Sequence, residues 1–320
     1  GKNYNTQQAL LSLIESWKKS LDNKGFGGAV LMDLSKAFDT LNHELLIAKL
    51  QAYGFQKDSL KLLHSYLTNR WQRTKVGNSF SSWAQLLQGV PQGSVLGPLL
   101  FNIYLNDLFL IIESTEVCNF ADDTTFYACD KNLSSLMQRL EHDSHLAIEW
   151  FDSNYMKLNQ EKSHLIVPGH KYENVFLNLG QSVIWESSNE KLLGLDIDRD
   201  LKFNKYALSL CKKAGQKLSV LNRICNYISF KQRKILMKSF IEAQFGYCPL
   251  IWMFCGRIEN NKINRIHERS LRMVYRDYTS SFSDLLKKCE TFSIHHRNIQ
   301  SFAIELFKDK NGISNSIVAD

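Results

Sequence analysis

Three acidic residues are the first in the chain whose types and spacing point to chemistry. Asp33 closes the apolar run Gly27-Gly28-Ala29-Val30-Leu31-Met32, and Asp122 and Asp123 lie side by side far downstream. Carboxylates drawn to one place repel and raise one another's pKa unless they share a cation. Hard divalent ions prefer carboxylate and phosphate oxygens. Two such ions, roughly 3.5–4 Å apart, activate an attacking hydroxyl and stabilise a leaving group in an in-line displacement.

That chemistry needs elements that bring distant residues together. The run ending at Asp33 reads as a buried strand with the carboxylate at its C-terminal end. Val117 to Ala128 reads as two short strands around an Asp122-Asp123 turn. If the two elements are sheet neighbours, the three carboxylates converge at one edge.

Around them, apolar spacing predicts helices over 6–22, 43–53 and 132–151, and one closing at Tyr66–Arg70. Arg73–Val76 reads as a strand. Pro98 is expected as the first residue of an apolar helix over Leu99–Ile112. A hairpin turned by Gly180-Gln181 joins Val175–Leu179 to Ser182–Trp185, and Lys191–Asp198 is another strand. From about 205 onward the pattern is helical. The expected class is α+β, divided as 1–204 and 205–320.

Composition sets the surroundings. The 320 residues are 44% hydrophobic and 22% charged, which excludes disordered and collagen-like classes. No apolar run reaches the ~20 residues of a membrane span. Seven cysteines, odd in number and irregular in spacing, argue for reduced thiols and an intracellular setting. The polar start, with neither Met nor a signal core, reads as a fragment of a longer protein.

The net charge of +7 is unevenly spread. Residues 201–320 hold 21 Lys and Arg against 9 Asp and Glu, net +12; the first 200 hold the other 18 against 23, net −5. Acidic groups gathered for a cation and a basic surface for a polyanion fit that split.

Three stretches resemble a known family. Leu31-Met32-Asp33-Leu34-Ser35-Lys36-Ala37-Phe38-Asp39, Gly89-Val90-Pro91-Gln92-Gly93-Ser94 with Leu96-Gly97-Pro98, and Phe120-Ala121-Asp122-Asp123 look like successive palm motifs of reverse transcriptases. The wording is similar to the non-LTR (LINE-like, Jockey-type) retrotransposon branch. Lys157-Leu158-Asn159-Gln160-Glu161-Lys162 resembles a further palm motif, and Leu192-Leu193-Gly194-Leu195-Asp196 the primer-grip hairpin.

The resemblance implies a right-hand polymerase: an antiparallel palm with incomplete fingers over 1–204, followed by an all-helical basic thumb over 205–320. It makes Asp33, Asp122 and Asp123 the catalytic carboxylates and metal ligands, with the backbone carbonyl of Leu34 completing one shell. The ions would be two Mg²⁺, with Mn²⁺ as a substitute. Phe38 would lie beneath the incoming sugar and exclude a 2′-OH. Gln92 and Gly93 would meet the template–nucleotide pair, Gly93 by close backbone approach. Lys162 would donate a proton to pyrophosphate or neutralise it. Asp39 is read as structural, capping or bonding the next helix.

The basic tail has its own pattern. At ~100° per residue, with Lys262 at zero, Arg265, Arg269, Arg272 and Arg276 fall at about 300°, 340°, 280° and 320°. The five cations share a stripe ~80° wide beside an apolar face of Ile263, Ile266, Met273 and Val274, with Glu268 the nearby acid. Such a ridge suits a phosphate backbone and predicts strong salt dependence. Cys248, Cys255 and His267 lack the short spacing of a zinc site, and Trp150, Trp185 and Trp252 are expected in the core.

The implied partners are an RNA template, a DNA primer or target and dNTPs, with no membrane, in the nucleus or cytoplasm. Only 32 residues precede Asp33, too few for a whole fingers subdomain, so the isolated chain is expected to fold poorly or polymerise weakly. The alternative is a decayed or domesticated copy that only binds nucleic acid. An RNA-templated RNA polymerase would call for a smaller residue than Phe38.

Overall fold

The protein is described by a computed structural model; the described residues are 6–170, 175–180 and 182–312. In chain order the elements are α1 (Thr6–Asp22), β1 (Phe26–Met32), α2 (His43–Ala52), α3 (Lys57–Leu67), β2 (Arg70–Gln72), β3 (Lys75–Val76), β4 (Ser79–Phe80), β5 (Ala84–Leu86) and α4 (Leu96–Leu105). Next come β6 (Glu116–Phe120), β7 (Asp123–Asp130), α5 (Leu133–Ser153), β8 (His164–Ile166), β9 (Phe176–Leu179), β10 (Ser182–Trp185), β11 (Asn189–Leu192) and β12 (Leu195–Asp198). The rest is α6 (Asn204–Ile224), α7 (Phe230–Leu236), α8 (Pro249–Trp252), α9 (Arg257–Tyr275), α10 (Phe282–Cys289) and α11 (Ile294–Lys310).

Contacts divide the chain into two compact units. One is Ser20–Ser187; the other joins the described residues of Gly1–Lys19 to those of Ser188–Asp320. The division falls after Ser187 rather than at 204. The physical reason is that Leu195 and Ile197 of β12 are buried and β12 packs on α6, so the β11–β12 hairpin belongs with the helices.

In the unit Ser20–Ser187 the sheet is antiparallel in the order β6-β7-β1-β8. β1 is central, buried on both faces, and this is why its sequence is continuously apolar rather than alternating. α5 covers it where Gly28 leaves room: a Cβ there would meet Leu140 Cδ1 at 3.0 Å. Phe101, Tyr104, Phe126, Leu140 and Phe151 form the centre of the core. Asp143, fully buried on α5, accepts from the Ser114 and Thr115 N–H groups at 2.9 and 2.6 Å, holding the turn that enters β6. Those bonds satisfy backbone donors that would otherwise be costly to bury.

Two expectations change here. Pro98 is the third residue of α4, a position still within the first turn, where N–H groups have no intrahelical acceptor. Ser94 Oγ accepts from Gly97 N at that start, at 3.0 Å. The helix also ends at Leu105 and tightens into a 3₁₀ turn over Asn106–Leu110. Lys49 Nζ takes the Tyr104 carbonyl at 2.8 Å while paired to Asp107 at 2.7 Å, which favours the tighter turn. β9 and β10 pair as expected, with Ser182 opposite Leu179; Gln181 of their turn lies outside the described residues. Trp150 is buried, whereas Trp185 is exposed and lies against Phe176 at 5.1 Å.

In the other unit, Lys191–Asp198, which reads as one strand by pattern but resembles a hairpin motif at Leu192–Asp196, is the hairpin β11–β12. Leu193 and Gly194 both have positive φ (48° and 83°), the geometry of a tight two-residue hairpin turn. Tyr247 Oη donates to the Leu193 carbonyl, and its ring lies 3.6 Å from where a Cβ on Gly194 would be. From Asn204 to Lys310 the described structure is helical. Trp252 is buried, as expected. Among the described residues no helix is long and apolar enough to cross a membrane.

Candidate active site

The carboxylates are placed by the β1–β7 register. Met32 pairs with Thr124, the last pair of the ladder, so Asp33 and Asp123 are the residues next to that pair at the sheet end. β6 and β7 close with Phe120 opposite Asp123, leaving Ala121-Asp122 as the turn. Ala121 adopts φ 56°, a left-handed conformation that costs an ordinary residue about 1–2 kcal/mol. Asn119 holds it from within: its Nδ2 donates to Ala121 O at 3.2 Å and Thr124 Oγ1 at 2.9 Å.

Asp33 is fixed from the other side. Asn159 N donates to Asp33 O and Ser35 N to Lys157 O, each at 2.8 Å, making Leu34 and Leu158 a bridge without hydrogen bonds of its own. Antiparallel geometry turns the Leu34 carbonyl away from that segment. The same segment continues into a 3₁₀ turn, Gln160–Lys162, whose Lys162 Nζ lies 3.8 Å from Asp33 Oδ2.

Asp123, although its side chain reaches solvent, has its carboxyl held above the usual range. Partial burial contributes most, followed by the charges of Asp122 and Asp33. Asp123 therefore feels both of the other carboxylates. The three do not form a closed cage: among the described residues no three His, Cys, Asp or Glu side chains converge tightly enough to hold a metal. Of the convergence expected from sequence, the structure shows the shared sheet end and the charge effect on Asp123, while Asp33 faces Lys162. The donors offered are all oxygens, a set that fits a hard divalent cation rather than a soft one.

The loop before α4 is locked to the segment after β1. Gly89 N donates to Leu41 O at 2.8 Å and Val90 N to Phe38 O at 2.9 Å. The buried His43 ring bonds the Gly89 carbonyl through Nε2 at 2.7 Å. Gln92 Nε2 donates to Asp39 Oδ1 at 2.8 Å. Asp39 therefore does not cap α2, because Asn42 does, accepting from Leu45 N.

Glycine is demanded at two points of this loop for different reasons. At Gly89 (φ 84°) a Cβ would fall 2.7 Å from the Asp39 backbone, so the close approach is here. At Gly93 (φ 76°) no atom of the chain lies within 4 Å of an added Cβ, so within the protein it is the backbone conformation that calls for glycine. Phe38 is half-buried, its ring stacked on Phe101 at 4.4 Å. Beside the loop opens a cleft of about 960 Å³, lined in part by Lys36, Asp39, Arg70, Trp71 and Gln88.

Residues 4–197 match the family model for reverse transcriptase (RNA-dependent DNA polymerase), well over half of the chain. The chain belongs to the reverse transcriptase family.

This reverse transcriptase chain is 23% identical over 286 residues to the probable RNA-directed DNA polymerase from transposon BS of Drosophila melanogaster, covering 85% of this chain and 31% of that protein. It is 22% identical over 282 residues to the RNA-directed DNA polymerase from mobile element jockey of the same species, with the same coverage. The Jockey-type, non-LTR resemblance read from the motifs agrees with these relatives. The chain spans about a third of the length of the curated relatives it matches. A solved structure of telomerase from Candida tropicalis with a TWJ fragment of telomeric RNA is 13% identical, at a TM-score of 0.45, over 90% of this chain and 53% of that one. Its likeness is too remote to add to the assignment.

In the unit that holds the basic tail, α9 buries Ile263, Met273 and Val274 as expected, together with His267, Ser270 and Leu271. The ridge of the reverse transcriptase is shorter than its sequence implies. Arg272 pairs with Glu268 at 2.6 Å. The helix ends at Tyr275, and Arg276, in a left-handed cap (φ 54°), turns its Nη2 to Cys225 O and Asn226 Oδ1, each at 3.1 Å. Lys262, Arg265 and Arg269 remain exposed on α9. His267 lies 3.1 Å from Glu242, whose other oxygen takes Arg297 at 2.7 Å.

Sequence reading missed His43, Asn119 and Gly89. Asn119 carries a local signal, an Asn two residues before a tight turn. His43 and Gly89 depend on partners that only the fold supplies.

Proposed function

We propose that this chain is the polymerising part of a non-LTR retrotransposon reverse transcriptase, joining dNTPs to the 3′-OH of a DNA primer on an RNA template. The observation that carries this reading is the β1–β7 register, which ends on Met32 opposite Thr124 and so leaves Asp33 and Asp123 as the next residues at the same sheet end, with Asp122 in the turn beside them.

Asp33, Asp122 and Asp123, with the Leu34 carbonyl, would hold two Mg²⁺. Bound there, the ions would supply Lewis acidity toward phosphate oxygens and a lowered pKa for the primer hydroxyl. The protein's own groups do the rest. Lys162, facing Asp33, holds a proton available to departing pyrophosphate. Phe38, backed by Phe101, presents a ring with no room for a 2′-OH. The loop through Gln92 and Gly93, pinned at Gly89, meets the template–nucleotide pair. In this reading Ser20–Ser187 is the palm with partial fingers, and the helices from Asn204 the thumb, whose exposed Lys262, Arg265 and Arg269 follow a phosphate backbone.

Extension of oligo(dT) on poly(rA) with Mg²⁺ tests the reading. Incorporation of dTTP, abolished by Asp122→Asn with primer–template binding retained, is the expected result. Asp122→Asn extending like wild type overturns it. A chain that binds the duplex but never extends it is a nucleic-acid-binding protein only. Phe38→Ala should admit UTP, which wild type should exclude.

A further inference from the structure

Asp39 is an acid that the chemistry at the sheet end leaves unused. It closes a 3₁₀ turn, Ala37–Asp39, and its side chain reaches solvent. Among the described residues no cation lies within ion-pair distance of it, and the one side-chain bond it accepts comes from Gln92 Nε2, at 2.8 Å. Helix capping does not account for it, because Asn42 caps α2.

The backbone on either side of this pair is held by other contacts. Gly89 N and Val90 N donate to Leu41 O and Phe38 O, and the His43 ring bonds the Gly89 carbonyl. The Asp39 carboxylate is therefore not needed to keep the two segments together. What it fixes is the direction of an amide. An ionised carboxylate only accepts, so the end of Gln92 that meets it has to be the NH2 end. The carbonyl Oε1 then faces away from Asp39, and both residues line the cleft of about 960 Å³. Released from Asp39, the amide turns about a soft terminal torsion and exchanges an acceptor for a donor.

We propose that Asp39 is a positioning residue for nucleotide binding: it locks the Gln92 amide so that Oε1, an acceptor, is offered to a hydrogen-bond donor of the template–nucleotide pair. The proposal rests on the polymerase reading, in which Gln92 meets that pair. The Asp39 carboxylate has two opposed effects, and their signs tell them apart. As a bare negative charge it repels a triphosphate, so its removal would tighten dNTP binding. As the lock it orders the amide before the nucleotide arrives, so its removal weakens binding. The bond is charge-assisted, and solvent competes with it less once a nucleotide covers the cleft.

Single-turnover extension of oligo(dT) on poly(rA) at varied dTTP gives the apparent dTTP affinity and the maximal rate of addition separately. Asp39→Ala should weaken dTTP affinity about fivefold, the cost of ordering one free side chain. The maximal rate should fall less than about twofold, and urea denaturation should be unchanged. Gln92→Glu, which sets two carboxylates against each other, should weaken dTTP affinity at least about tenfold. Asp39→Asn combined with Gln92→Glu reverses donor and acceptor across the bond and still offers the substrate an acceptor. Its dTTP affinity should return to within about twofold of wild type. Unchanged or tighter dTTP binding in Asp39→Ala would overturn the proposal, and so would a double variant that recovers nothing. The lock is also read without substrate. The side-chain NH2 resonances that vanish in Gln92→Glu should shift in Asp39→Ala, and resonances indifferent to Asp39→Ala would overturn it as well. A wild-type chain that never extends a primer refutes the polymerase reading and the role in nucleotide binding together, whereas normal extension with an unmoved dTTP affinity refutes the role of Asp39 alone.

Discussion

Lys162 Nζ stands 3.8 Å from Asp33 Oδ2, so the cation of one sequence motif faces the carboxylate of another across the end of the sheet. Both side chains are partly exposed, and the pair adds little to stability. In the proposed reaction the pair would place a proton donor beside the carboxylates. Lys162→Leu should slow single-turnover dNTP addition by about 100-fold, the low end of general-acid effects. Primer–template affinity should hold. An unchanged rate would reduce Lys162 to a surface residue.

Gly89 and Gly93 share a loop and a positive φ but differ in surroundings. Gly89→Ala should be the more damaging, because conformational strain of about 1–2 kcal/mol is compounded by a clash with the Asp39 backbone. Gly93→Ala bears the strain alone. Urea denaturation should show the greater loss at Gly89, and equal losses would argue against the clasp between the two segments.

Glu242 gives the helical unit a pH dependence. Burial pushes its carboxyl upward, but the His267 hydrogen bond and the Arg297 charge outweigh it, leaving a pKa of about 2 against an ordinary 4.5. A depressed carboxyl pKa stabilises above the unfolded value and loses that contribution as pH falls from about 4.5 toward 2. Glu242→Gln should cost about 3 kcal/mol near neutrality, as removal of one partner of a buried ion pair does. The difference should shrink through the acid range. A gap that is constant with pH would contradict the assignment.

The α9 ridge predicts a salt signature. Replacing Lys262, Arg265 and Arg269 with Ala should lower the slope of log affinity against log salt by roughly two to three, at about 0.9 per phosphate on a duplex. Arg276→Ala, which removes bonds to Cys225 and Asn226, should instead lower the melting temperature. A slope that falls as much for Arg276→Ala would restore it to the ridge.

Legibility followed the range of the interactions. The strand ending at Asp33 and the turn at Asp122 are written in local apolar runs and turn residues, so sequence located both. Their adjacency rested on the motif resemblance, and the register Met32–Thr124 supplies it. Helix periodicity placed the ridge on α9, but the left-handed cap at Arg276 is set by acceptors on Cys225 and Asn226, some fifty residues away. The same holds for Gly89, whose requirement comes from Asp39; the hairpin β11–β12, by contrast, is carried by the motif resemblance at Leu192–Asp196 where apolar pattern alone reads one strand. Arg272 was the exception. Its partner Glu268 lies one helical turn back and was visible in the sequence.

The most direct measurement is cleavage of the chain by hydroxyl radicals from Fe²⁺ substituted for Mg²⁺. The account predicts cuts near Asp33 and near Asp122-Asp123 together, competed by Mg²⁺ and lost in Asp122→Asn. Cuts at only one of the two places, or a pattern indifferent to Asp122→Asn, would show that these carboxylates do not share a cation.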